Sequence, residues 1–158
     1  LLLITGRLLT ARDQAHRRLV EALDRGEGLP VRVEGEIIYY AGPSPAPRGK
    51  PSGSVGPTTA SRMDPYTPRL AAAGMAACIG KGPRSREVRE ALRGHGVLYL
   101  AGVGGAAALL GSRVRSLRVL AYEDLGPEAI YELEVEDFPV VVAYDLAGGN
   151  IFSHLEEA

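Results

Sequence analysis

Apolar residues along this chain come in short clusters whose spacing changes from one cluster to the next. Over residues 11–25, Ala15, Leu19, Ala22 and Leu23 fall on one face of a helix, with Thr10 placed to cap its start and Gly26 to end it. Residues 36–41 carry Ile37, Ile38, Tyr39 and Tyr40, the β-branched and aromatic content of a strand. Residues 76–79 read as a buried strand, 97–101 as another, and 1–4 as a short one. An amphipathic helix is expected over 85–93, and a tightly packed helix of small apolar residues over 104–110. Asp64 followed by Pro65 has the form of an N-cap and first helical residue, predicting a helix to about Ala73 that Gly74 stops. Strands are expected over 117–122, 129–135 and 140–144. Helices and strands alternate, but the last third is mostly strand. The fold class is therefore α/β with a mixed sheet and helices packed on it, not a pure doubly wound fold.

Between these elements, residues 42–56 read GPSPAPRGKPSGSVG, which is a loop. A loop this long inside a compact domain is usually functional or disordered. The whole chain, 1–158, fits one domain large enough to bury a core without disulfides or metal. No internal repeat is visible.

Composition narrows the function classes. The net charge of −1 gives no field that would favour nucleic acid or an acidic membrane. The longest apolar run, 97–110, is too short to span a bilayer and is broken by glycines. The chain opens on Leu1, so its natural start is expected upstream, and LLLI lacks the basic stretch of a signal peptide. The single cysteine, Cys78, excludes an internal disulfide, a cluster or a structural zinc held by this chain alone, and a reducing cytoplasm is the expected compartment. His95 and His154 have no Cys/His cluster around them, so no metal ligand is expected. Cys78, beside an apolar strand, reads as core. Lysine is scarce, with only Lys50 and Lys81, although a biased genome composition explains most of that ratio.

Three segments carry candidate chemistry. Arg12 and His16 stand four apart, sharing one face near a helix N-terminus, where an arginine can hold a carboxylate with two parallel bonds. A solvated Arg with a surface His fits the same spacing. Thr58, Thr59 and Arg62 lie between the loop and a helix start, offering hydroxyls, backbone N–H groups and a fixed cation to an oxyanion or carboxylate. A capped helix entry would account for Asp64 and Pro65 but not for this triplet. Lys81 stands between Gly80 and Gly82 at the end of an apolar strand, as a point charge where a ligand can approach the backbone; a plain turn fits too. The glycines Gly102, Gly104 and Gly105 lack the spacing of a nucleotide loop, and close helix packing explains them better.

Six segments together resemble the β subunit of class I, iron–sulfur-dependent fumarate hydratases and L-tartrate dehydratases. They are TARDQAHRRL (10–19), EIIYYAGPSPAP (36–47), GSVGPTTASRMDPYTPRL (53–70), CIGKG (78–82), YLAGVGGAAALL (99–110) and VEDFPVVVAYDLAGGNIF (135–152). The pairing of GPTT-x-x-RMD with IGKG is the specific part. The resemblance implies the swivelling β/β/α domain and a hydro-lyase that reversibly hydrates fumarate to malate or dehydrates tartrate, fumarate being favoured over tartrate. It implies that a partner α subunit carries a [4Fe–4S] cluster on three cysteines, in a hetero-oligomer of the α2β2 kind. Without that partner the chain would be inactive and prone to self-associate as a homo-oligomer. Carried over by position, Arg12 binds a carboxylate, Thr58 and Thr59 touch the dicarboxylate substrate, and Thr58 is the candidate for proton transfer. Arg62 and Lys81 clamp the carboxylates. Asp13, His16 and Asp64 match family positions as supporting or capping groups. The competing reading is a non-catalytic dicarboxylate- or anion-binding module that reuses the fold.

Overall fold

The computed structural model describes residues 1–103 and 105–156. Four parallel strands lie side by side: β1 (Leu2–Thr10), β2 (Ile37–Tyr39), β3 (Ala77–Gly80) and β4 (Leu98–Gly102). The edge strand β5 (Val114–Ala121) is antiparallel to the long β6 (Ile130–Tyr144). β6 also pairs antiparallel with β1 along one side and with β4 along the other. Pairing at both ends of the parallel set rolls the sheet into a small barrel.

The helices are α1 (Asp13–Asp24), α2 (Thr67–Ala72), α3 (Arg86–Gly94), α4 (Ala107–Ser112) and α5 (Ser153–Glu156). Alternation along the strands assigns the two faces of the sheet. Leu9, Ile38, Tyr40, Cys78 and Tyr99 join Ala15 and Leu19 of α1, Leu70 of α2, and Val88 and Leu92 of α3 in one apolar cluster. Leu8, Tyr39, Ile79, Leu100, Leu133, Phe138 and Val140 form a second with Leu110 of α4. There the Tyr39 and Phe138 rings meet edge to face at 5.3 Å.

Several elements differ from the sequence expectation. The first strand runs to Thr10 because β6 pairs with it throughout, and Thr10 Oγ1 accepts from Tyr131 N instead of capping a helix. Helix α1 starts later, with Arg12 at its N-cap position and no side-chain cap. Asp64 caps no helix start of its own. It follows a 3-10 turn, Ala60–Met63, and its carboxylate is taken by Arg84 and by Ser85 N. The two strands expected over 129–135 and 140–144 are one strand. The interruption is a bulge, with Asp137 at φ 51 near a register shift between Ile4 and Gly6 of β1. The helix expected from residue 104 is α4, and Gly104 itself lies outside the described residues. No helix or strand is assigned within 42–56.

Candidate functional site

Because β1, β2 and β3 run the same way, their C-terminal ends share one edge of the barrel. Two backbone bonds continue the pairing past the strands, Ala11 N to Tyr39 O (3.0 Å) and Tyr40 N to Ile79 O (2.8 Å). The chain returns to this edge after the long loop and wedges between the tails of β2 and β3. Thr58 N donates to Tyr40 O at 2.7 Å, Lys81 N to Thr58 O at 3.2 Å, and Ala60 N to Lys81 O at 2.8 Å. Thr59 and Lys81 are thereby held in an isolated parallel bridge.

Gly80 makes this possible by its lack of a side chain. A Cβ there would lie 2.8 Å from Ala60 Cβ and 2.8 Å from Tyr40 Cδ2. Pro57 packs over Gly102 in the same way, with its Cβ and Cγ 3.1 Å from where a Cβ would stand.

The N-terminus of α1 completes the edge. Arg62, exposed at the end of the 3-10 turn, donates to Asp13 Oδ2 at 2.5 Å. Arg12 is half-buried against Gly42, and its Nε is 3.9 Å from Glu128 Oε1. Gln14 Nε2 anchors the other oxygen of Glu128 at 2.8 Å. The Arg12 Nε is buried without a hydrogen-bond partner among the described residues. Arg12, Thr58, Thr59, Arg62 and Lys81 thus come together, with Thr59, Arg62 and Lys81 exposed and Arg12 and Thr58 partly covered. Three cations, two hydroxyls and a helix N-terminus suit a ligand carrying two carboxylates.

His16 is not a surface residue. It is fully buried, donates Nδ1–H to Arg12 O at 2.9 Å, and sets its ring edge-on to Tyr40 at 5.1 Å. Burial pushes its pKa down to about 4, so it is neutral at pH 7. Asp64 lies behind the edge, where its carboxylate accepts from Arg84 Nε at 2.6 Å and Ser85 N at 2.9 Å. Cys78 is buried beside Arg84, and burial pushes its thiol pKa up, which makes it an inert core residue.

Two residues escaped the sequence reading. Glu128 reaches Arg12 from the far side of the β5–β6 connection, a contact no local pattern announces. Arg84, in the Gly-Pro-Arg-Ser run before α3, resembles an ordinary surface arginine in sequence, yet its side chain is fully buried. Desolvation opposes its charge; the Asp64 carboxylate and the faces of Tyr40 and Tyr99, at 5.3 and 5.1 Å, offset that cost.

Among the described residues, no three His, Cys, Asp or Glu side chains are grouped to hold a metal ion. The only cysteine is sealed in the core, so this chain's donor set does not fit an iron–sulfur cluster. No helix among the described residues is long and apolar enough to cross a membrane.

Fold and edge together define a small barrel-like α/β domain whose rim, built from a parallel-strand terminus, gathers cationic and hydroxyl side chains. The family model described as "Fumarase C-terminus" matches residues 1–155, and the chain belongs to that family. It is 44% identical over 155 residues to the aerobic class I fumarate hydratase of Escherichia coli strain K12, covering 97% of this chain and 28% of that protein. It is 42% identical over 153 residues to fumarate hydratase 2 of Leishmania major, covering 96% of this chain and 27% of that protein. The putative L(+)-tartrate dehydratase subunit beta of Methanocaldococcus jannaschii is 37% identical over 160 residues, covering 98% of this chain and 82% of that protein. The chain thus spans little more than a quarter of the fumarate hydratases and most of the tartrate dehydratase subunit.

Proposed function

We propose that this chain is the substrate-gripping part of a hydro-lyase that interconverts an unsaturated dicarboxylate and its 2-hydroxy acid, with fumarate and malate the favoured pair. The observation that carries the reading is the Thr59–Lys81 bridge, which seats Thr58, Thr59 and Lys81 beside Arg62 and the start of α1. Lys81 and Arg62 hold one carboxylate of the substrate and Arg12 the other. Thr59 adds its hydroxyl, and Thr58 handles the proton on the carbon next to a carboxylate. A threonine hydroxyl is a weak base. Arg62, four residues on, would lower its pKa, or a carboxylate of the partner would relay the proton.

The water-eliminating half of the chemistry belongs to a partner. A [4Fe–4S] cluster held there would supply a Lewis acid for the substrate hydroxyl. Two facts support a partner: a relative is named as a subunit beta, and the fumarate hydratases extend far beyond the matched region. The assembly is read as a hetero-oligomer working in the cytoplasm.

The test is anaerobic turnover by the cluster-loaded assembly, followed by fumarate absorbance. Arg62→Ala and Lys81→Ala should each lower kcat/KM roughly 100-fold, about 3 kcal/mol of transition-state binding. Unchanged kcat/KM in both variants would sink the clamp assignment. Dicarboxylate binding without turnover would identify a binding module instead.

A further inference from the structure

A single buried guanidinium touches the support of every gripping residue. Arg84 Nε and the amide of Ser85 both bind the carboxylate of Asp64, two residues after Arg62. Its Nη2 donates to Thr67 Oγ1 at 2.6 Å, where α2 begins, and its Nη1 to Tyr40 OH at 3.3 Å. Its backbone N donates to Tyr144 OH at 2.9 Å, tying the loop to the end of β6. The guanidinium lies over the rings of Tyr40 and Tyr99.

Tyr40 relays this anchoring to the edge. Its carbonyl accepts from Thr58 N, and its ring packs where Gly80 has no side chain. The same ring meets His16, which holds the carbonyl of Arg12. Lys81 stands three residues before Arg84 in the same connection. The substrate groups come from three separate stretches of chain, and Arg84 is where the stretches meet.

We propose that Arg84 is a positioning residue that fixes the mutual register of Arg12, Thr58, Arg62 and Lys81. This rests on the proposed dicarboxylate site, though Arg84 is not expected to touch substrate. A planar fork is required, because the partners lie in several directions around one plane with ring faces beside it. A lysine keeps the charge and one bond to Asp64 but loses the fork and the stacking.

The experiment compares Arg84→Lys and Asp64→Asn with the parent in the cluster-loaded assembly. Three quantities are read: amide hydrogen exchange at Thr58, Ala60 and Lys81, KM for fumarate, and the inhibition constant of a non-reacting dicarboxylate such as succinate. With circular dichroism unchanged, exchange at the three amides should rise at least tenfold, and KM and the succinate constant about tenfold. A purely structural role predicts otherwise. It reduces the folded fraction and so kcat, leaving KM and the succinate constant where they were. The effect of Arg84→Lys on KM should also shrink in an Arg62→Ala background, because one of the groups it positions is already gone. Native-like exchange and KM within threefold of the parent in both variants would overturn the proposal. Should Arg84→Lys not fold, Asp64→Asn, which weakens the same contact from the other side, decides by the same readings. Should the parent assembly show no hydration, the reading of the reaction fails, while the exchange data still decide whether Arg84 holds the three segments in place.

Discussion

Asp13 accepts from Arg62 at 2.5 Å across the gap between α1 and the 3-10 turn. Arg62, proposed to hold a substrate carboxylate, is therefore already matched by a carboxylate of the chain itself. The pair is half exposed on the arginine side, so it contributes little to stability, within about 1 kcal/mol. Its larger effect is on the ligand. Asp13 places a negative charge in the first turn of α1, where the N–H groups of the helix start would favour an incoming anion. Asp13→Asn should leave the melting temperature nearly unchanged and tighten succinate binding severalfold, more so at low salt. Weaker binding, measured by calorimetry, would show that Asp13 chiefly orients Arg62.

Gly80 gives a sharper stability prediction. Its missing side chain is filled by Ala60 and Tyr40, so Gly80→Ala forces backbone or ring movement and should cost about 1–3 kcal/mol. The segment displaced is the one carrying Thr58 and Thr59, so ligand affinity should fall as well. Gly28→Ala is the control: no atom lies within 4 Å of the added Cβ, and its backbone is not in the left-handed region. Denaturant unfolding of the two variants should separate them clearly; equal midpoints would contradict the packing described.

His16 predicts a pH dependence. Its pKa is about 4 in the folded chain against 6.5 when unfolded, because burial penalises the charged ring. Between these values the unfolded state binds a proton that the folded state does not. Stability therefore falls as pH drops from about 6.5 to about 4 and levels off below. The full loss is on the order of 3 kcal/mol. A His16→Gln variant, uncharged throughout, should show a flatter profile over that window. An unchanged slope would mean that other groups set it.

The α/β class and the positions of most strands were legible in the sequence because apolar spacing and β-branched content report local geometry directly. Thr58, Thr59, Arg62 and Lys81 were legible as candidates because the first three lie between the Gly/Pro-rich loop and an expected helix start, and Lys81 stands between two glycines at a strand end. Their convergence was not, since the Thr59–Lys81 bridge and the Arg62–Asp13 contact join distant stretches. Thr10 and Asp64 were misread as helix caps for one shared reason. A short polar side chain looks the same in sequence whether it caps its own helix or serves another element, as Thr10 does for Tyr131 and Asp64 for Arg84. Arg84 left no mark at all, because burial of an arginine depends on tertiary partners.

The closure of the barrel by β6 has a consequence in time. Leu2 pairs with Val140 and Thr10 with Tyr131, so β1 meets β2 early but its other neighbour, β6, only after β2, β3, β4 and β5 have all been made. The rim formed by the ends of β1, β2 and β3 cannot be braced from behind until that late strand arrives. Contacts of such long sequence separation make folding slow. During synthesis, Thr58, Thr59, Arg62 and Lys81 all emerge before β6 and wait, as parts of an unfinished ring, for the strand that closes it.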